Sequence, residues 1–196
     1  VVAAFLRESS QRGEHIGALV LEETWLTGNK SLQVPGYTLF GRNRTKVKEG
    51  GRPSGGVGML ICNRILKGAK PPIVTRPTFG DSEGLLIVKI EKGNKTLSLL
   101  AVYNEFDRPD FPVKESEFLA GVFREMSKAA KLKSKQQEKD NFVYVCADIN
   151  VRLGNVQEGA EGIAERFGER TSHGSRAKEL AAVMKKHGDL CIHGRL

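Results

Sequence analysis

One stretch limits the fold more than any other: Phe142-Val143-Tyr144-Val145-Cys146-Ala147-Asp148-Ile149-Asn150. An unbroken apolar and aromatic run, rich in β-branched residues, predicts a strand buried on both faces. It runs straight into Asp148 and Asn150, polar groups that a dry core cannot hold unpaired. Positions two apart on a strand share a side, so this carboxylate and this carboxamide can aim at one point. Such a pair suits a metal, a phosphate or an attacking water. It equally suits a strand-end turn in which both side chains bond the local backbone, and the stretch alone leaves the two readings open.

Length and composition narrow the setting. With 196 residues the chain can bury one sizeable core, which predicts a single domain over 1–196. No apolar run approaches the roughly 20 residues that span a bilayer, and the amino-terminal end has no signal-peptide layout, so no membrane role is expected. Cys62, Cys146 and Cys191 are far apart in apolar surroundings, which predicts reduced thiols rather than a disulfide or zinc framework. A formal charge of +8 suits a polyanionic partner such as nucleic acid. The chain opens and stops inside what reads as structure, so the expectation is a truncated piece of a longer protein.

Taken in order, 1–12 has helical spacing, with Val2, Phe5 and Leu6 as its apolar positions, and ends at Gly13. Ile16 to Leu21 predicts a buried strand delivering Glu22 and Glu23 at its carboxyl end, where ligands of layered α/β folds gather. Residues 27–55 are loop-like, with Pro35, Pro53 and a basic stretch from Arg42 to Lys48. Strands are predicted over 55–62, 85–90 and 97–103, the last two joined as an antiparallel hairpin by a longer loop, Glu91 to Lys95. Residues 113–133 have helical spacing, and 131–139 reads as a solvated basic run. A Gly-rich irregular segment (154–174), a helix over about 175–187 and a strand start at Leu190-Cys191-Ile192 complete the chain. Strands outnumber helices and hairpins mix with crossovers, which predicts an α+β protein with sheet packed on sheet and helices outside.

Four stretches in this order carry a resemblance: Leu21-Glu22-Glu23-Thr24-Trp25-Leu26, Gly55-Gly56-Val57-Gly58, Ala101-Val102-Tyr103 and Ala147-Asp148-Ile149-Asn150. Together they resemble the endonuclease/exonuclease/phosphatase superfamily, the fold shared by DNase I and abasic-site endonucleases. The Glu-Thr-Trp-Leu wording is most similar to the endonuclease domains of non-LTR retrotransposons. Arg152-Leu153-Gly154 and Phe167-Gly168-Glu169-Arg170 follow the layout seen there after the Asp-x-Asn strand.

The resemblance implies a four-layer α/β sandwich, here incomplete at both ends, that hydrolyses a phosphodiester or phosphate ester with Mg²⁺ or Mn²⁺. By that resemblance Glu23 is the metal-binding glutamate, with Glu22 where Gln is common. Asp148 positions or deprotonates the attacking water, Asn150 contacts the scissile phosphate, and Tyr103 approaches the same phosphate. Ala147 and Ile149 replace the family's usual Gly and Phe. Arg42 and Arg44, in the basic stretch, are the candidate substrate contacts, and DNA is the expected partner. Reduced thiols and a DNA substrate point to an intracellular, nuclear setting.

The chemistry is sound without the name. A phosphodiester repels nucleophiles, so a hard cation held by carboxylate oxygens must neutralise charge. A carboxylate orients the water, while neutral donors such as Asn and Tyr steady the developing charge.

Two departures bear on activity. The family's metal-binding asparagine would precede Val1, and its carboxyl-terminal Ser-Asp-His motif is not in this sequence. His193 stands where the family commonly has Asn, and His15, His173 and His187 match no catalytic position. These residues alone are therefore expected to be inactive, and a longer protein containing them active. The competing readings are a non-catalytic nucleic-acid-binding or scaffold remnant, and a phosphatase of the same fold acting on inositol or sphingolipid phosphates. Each residue also has a plainer role open to it. Glu23 can be an ordinary acid leaving the core, Tyr103 a packed strand residue, Trp25 a rim residue, and Asn104 and Asp107 turn formers.

Overall fold

The computed structural model describes residues 1–43, 56–79, 84–104, 112–131 and 140–148, all within the unit Val1–Asp148. In chain order these form α1 (Val2–Gln11), β1 (Ala18–Glu22), β2 (Tyr37–Arg42), β3 (Val57–Cys62), α2 (Asn63–Leu66), β4 (Ile73–Thr75), β5 (Leu85–Lys92), β6 (Lys95–Tyr103), α3 (Pro112–Lys131) and β7 (Asp140–Asp148). Asn150, Arg44 and the elements expected beyond Asp148 lie outside the described residues.

Two sheets result, one ordered β1-β3-β2 and the other β4-β5-β6-β7. Alternation along each strand sorts its side chains between two layers. Val57, Met59 and Ile61 of β3 meet Leu86, Val88 and Ile90 of β5 and Leu99 and Ala101 of β6 in the core between the sheets. On the outside of the first sheet, Leu60 packs with Leu6 of α1, Val34, Leu19, Leu21 and Leu39. On the outside of the second, Leu85, Val102 and Val145 pack with Phe118 and Val122 of α3. The order helix, sheet, sheet, helix is that of an α+β sandwich with four layers, as the sequence predicts.

β5 and β6 pair antiparallel from Leu85↔Val102 to Lys92↔Lys95. The expected longer loop is instead a tight turn at Gly93-Asn94, where Gly93 takes φ +57, a left-handed conformation that glycine accepts without a Cβ clash. β6 and β7 pair parallel, which requires a crossover, and α3 lies within it. The start of β5 is unusually close to the end of β6. Gly84 O accepts a bond from the Tyr103 N–H at 2.7 Å, and a Cβ at Gly84 would collide with the Tyr103 carbonyl.

Two expectations are corrected. Residues 27–55 are not all loop, because Tyr37–Arg42 forms β2 beside β3. Leu39 faces the α1 layer and Phe40 the inter-sheet core, so apolar residues on both faces hid the period-two pattern, and Gly41 broke it. β7 is not buried on both faces: Phe142 is 45% and Tyr144 58% exposed. Among the described residues β7 pairs only with β6, and an apolar run carries no information about how many neighbours a strand will have. Finally, Asn104, a turn former on the plainer reading, is fully buried.

The two glycines separate two kinds of constraint. Gly84→Ala is expected to lower stability by about 1–3 kcal/mol through overpacking against Tyr103. Gly93→Ala has open space around it and is expected to lose about 1 kcal/mol through backbone strain alone. Urea denaturation of both variants checks this; a smaller loss for Gly84→Ala would contradict the close approach.

Candidate active site

Three strands end at one place. β1 ends at Glu22, β6 at Tyr103 and β7 at Asp148. On the parallel β6–β7 pair Tyr103 stands level with Asp148, and the Asn104 N–H donates to the Asp148 carbonyl at 2.8 Å, one step past the last pair. The first sheet reaches across to meet them. Glu22 Oε1 accepts from the Asp148 N–H at 2.9 Å, and the Tyr103 hydroxyl donates to Glu23 Oε1. Two adjacent acids thus each hold a different strand of the opposite sheet. Bonds of this kind, with one ionised partner, are the stronger class of hydrogen bond.

The chain reaches this arrangement through a local distortion. Glu22 stands opposite Val57, but the next bond to the facing segment comes from the Thr24 N–H to the Gly56 carbonyl at 3.2 Å. Glu23 is thereby an extra residue in a bulge-like kink, a device that re-aims a side chain. Glu23 and Trp25 both take left-handed backbone angles, φ 50 and φ 52, each costing about 1–2 kcal/mol for a residue with a Cβ. Thr24 Oγ1 is buried with no hydrogen-bond partner, a further desolvation cost of about 1–3 kcal/mol. Unfavourable local structure concentrated in three consecutive residues is characteristic of a site kept for something other than stability.

Glu23 is exposed and Tyr103 only 8% exposed, so the carboxylate faces outward while a buried hydroxyl orients it. Among the described residues no three His, Cys, Asp or Glu side chains are grouped to hold a metal ion. Mg²⁺ does not need such a cage, since it keeps several waters and takes one or two carboxylates. Glu23 fits that demand: it offers hard oxygen donors, is accessible, and is already oriented through one oxygen. Nearby, the Cys146 thiol is pushed above its ordinary value. Desolvation of the sulfur is the larger cause, although the residue as a whole reaches solvent, and the Glu22 charge adds to it.

Of the residues singled out from sequence, the structure brings Glu23, Tyr103 and Asp148 together. Asn150 and Arg44 lie outside the described residues. Arg42, at the end of β2, faces inward, contrary to the expectation of a substrate contact. It is 8% exposed, and its guanidinium donates to the Pro77 carbonyl, the Leu85 carbonyl at 3.2 Å and Thr78 Oγ1 at 2.7 Å. A buried cation needs such acceptors, and these fasten the end of β2 to the segment between β4 and β5. His15 precedes the start of β1 and contacts Arg64 at 3.4 Å, so it lies at the opposite end of that strand from Glu23.

Sequence reasoning missed two positioning residues, Asn104 and Glu22. For Asn104 there was no signal, because the bond to the Asp148 carbonyl comes from its main-chain N–H, which any residue but proline carries. For Glu22 the signal was its place at the carboxyl end of an apolar strand, which marked an acid there but not its partner on β7.

No protein-family model matches this chain, and no curated protein sequence does. Its fold is similar to solved structures of TDP2. To the Caenorhabditis elegans TDP2 crystal structure the identity is 13%, over 76% of this chain and 42% of that one, with a TM-score of 0.49. A humanized D. rerio TDP2 gives 14% identity over 77% and 54% of the two chains, TM-score 0.45. D. rerio TDP2 complexed with a single-strand DNA product gives 14% over 76% and 53%, TM-score 0.44. The chain thus spans about half the length of the structures it matches.

The contact between Glu22 and the β7 end can be read from the thiol beside it. Glu22→Gln keeps an oxygen acceptor for the Asp148 N–H and removes the charge. The Cys146 pKa is expected to fall part of the way toward its ordinary value, raising the thiolate fraction and the rate of alkylation. Peptide mapping after iodoacetamide treatment, with Cys62 as internal reference, checks this; an unchanged or slower rate would rule out the Glu22 contribution.

Proposed function

We propose that this chain is a phosphodiester-hydrolysing domain that uses a divalent metal ion, Mg²⁺ or Mn²⁺, and that its substrate is DNA, which it nicks. The observation that carries the reading is the convergence of Glu23, Tyr103 and Asp148 from three strands and two sheets. A turn residue, a packed tyrosine and a strand-end acid would each have been satisfied separately. Their shared location, with strain held in the Glu23 turn, favours chemistry over the plainer roles.

A bound metal would neutralise phosphate charge and polarise the phosphoryl group, with Glu23 as its protein ligand. The chain's own residues do the rest. Tyr103 holds Glu23 through one oxygen and leaves the other facing outward. Asp148, its backbone pinned by Glu22 and Asn104, orients a water and accepts its proton. Asn150, two residues on, is proposed to donate to a non-bridging phosphate oxygen. The resemblance of the Glu-Thr-Trp-Leu stretch supports a non-LTR retrotransposon-type protein as the source, acting in the nucleus.

For these residues taken alone, a second reading has support of its own. Among the described residues the only histidine, His15, is at the far end of β1, so none of them supplies an imidazole acid to the leaving group. A nucleic-acid-binding domain that does not turn over fits that arrangement.

Nicking of supercoiled plasmid separates the two. The chain extended through its flanking coding sequence is expected to nick with Mg²⁺. Asp148→Asn is expected to lower the rate by a factor of about 10²–10⁴, the usual worth of an acid–base group. Tyr103→Phe should cost less, about tenfold, since it loosens Glu23 through one hydrogen bond. Full activity in Asp148→Asn would overturn the assignment, and binding without nicking in the extended chain would favour the second reading.

A further inference from the structure

At the end of β2 is an open cleft of about 430 Å³ whose lining includes Gly28, Lys30, Ser31, Arg42, Asn43 and Arg76. Its walls are held in place by the protein itself. Asn43 Nδ2 donates to the Gly28 carbonyl at 2.6 Å and to the Lys30 carbonyl at 2.9 Å, strapping that loop to the end of β2. Arg76 Nε donates to the Gly41 carbonyl at 2.9 Å, which fixes the plane of the guanidinium at the rim. Lys30 and Arg76 are both exposed, and among the described residues neither is paired with a carboxylate. Gly28 and Gly41 add no side chain to the floor. Two unpaired cations, one with an oriented guanidinium, make a site for an oxyanion, because the two Nη groups can grip it bidentately while the ammonium adds a point charge.

Its position suggests which anion. Glu22 of β1 and Arg42 of β2 both stand opposite Val57 of β3. Glu23 and Asn43, the next residues, therefore leave the same end of one sheet two strand spacings apart, about 10 Å. A nucleic-acid strand carries a charge about every 3.4 Å of helix axis, so a strand with one phosphate at Glu23 has others within that span. We propose that the Lys30–Arg76 cleft holds a phosphate of the nucleic-acid strand flanking the bond that lies at Glu23. This rests on the reading of Glu23 as the centre of phosphodiester hydrolysis. Arg42 lines the same cleft, but it is buried with its guanidinium bonded to Pro77, Leu85 and Thr78, so the contact falls to Lys30 and Arg76, which face solvent.

The test is binding without turnover. Anisotropy of a fluorescein-labelled DNA duplex is measured against the 196-residue chain in EDTA over a range of KCl concentrations. Lys30→Gln, which leaves the Arg76–Gly41 bond intact, is expected to lower the slope of log affinity against log salt by about 0.9, and Lys30→Gln/Arg76→Gln by about twice that. The double variant should bind at least tenfold more weakly at low salt, with an unchanged circular dichroism spectrum. Slopes and affinities equal to wild type in folded variants would overturn the proposal. So would Lys30-dependent binding to phosphoinositide-containing vesicles with none to the duplex. Failure here and failure of the hydrolase reading are separable. If Asp148→Asn abolishes nicking while the Lys30 and Arg76 variants bind normally, only the cleft assignment falls. If the salt slopes change as expected but no extended form nicks, the cleft stands as a binding site and the hydrolase reading falls.

Discussion

Two hydrogen bonds at the ends of the sheets, Glu22 to the Asp148 N–H and Tyr103 to Glu23, are the contacts on which the candidate site depends. Each crosses from one sheet to the other, and each joins an ionised acid to a neutral donor, a class worth about 1.5–3 kcal/mol apiece. They form only if β6 and β7 are in register, with Tyr103 level with Asp148. That register is secured from behind, where Phe118 and Val122 of α3 pack on Leu85, Val102 and Val145. A slip of one residue in β7 would turn Asp148 to the opposite face and break both the site and the core. Packing on the outer face of a sheet therefore sets the chemistry at its end.

The acids are costly neighbours, and the surrounding structure shows how they are accommodated. Glu23 is carried on a bulge-like kink with two left-handed residues, and Thr24 gives up a hydrogen bond there. The compensation lies in the layer between the sheets, where Met59, Ile61, Leu86 and Val88 are wholly removed from solvent. Arg42 contributes from inside rather than outside by bonding carbonyls of the β4–β5 segment. Its cationic charge is thereby spent on architecture. That leaves Lys30 and Arg76 as the cations facing solvent around the cleft that Arg42 also lines.

Legibility in the sequence followed local pattern. The hairpin of β5 and β6, the helix α3 and the strand β7 each had an unmixed period, and each is present close to its expected bounds. β2 was hidden because its two faces meet two different apolar layers, which erases alternation. α2 and β4 were too short to leave a signal. The exposed face of β7, with Phe142 and Tyr144 open, could not be foreseen, because a run of apolar residues is the same string whether one neighbour covers it or two.

For the site, Glu23 and Asp148 stood out as acids at the ends of apolar strands, visible as breaks in a local pattern, whereas Tyr103 entered only through the family resemblance. Their meeting was not written there. Glu23 and Tyr103 are 80 positions apart and Glu22 and Asp148 are 126 apart, and no local rule couples residues at such separations. What the sequence determined alone was which strands end in polar groups, because a buried strand cannot continue through a carboxylate. Only the tertiary structure decided that three of those ends coincide, that Glu22 and Asn104 are the residues pinning Asp148, and that Arg42 turns inward. Those outcomes depend on which sheet faces which, and that is settled by how the apolar faces of α1, the two sheets and α3 stack.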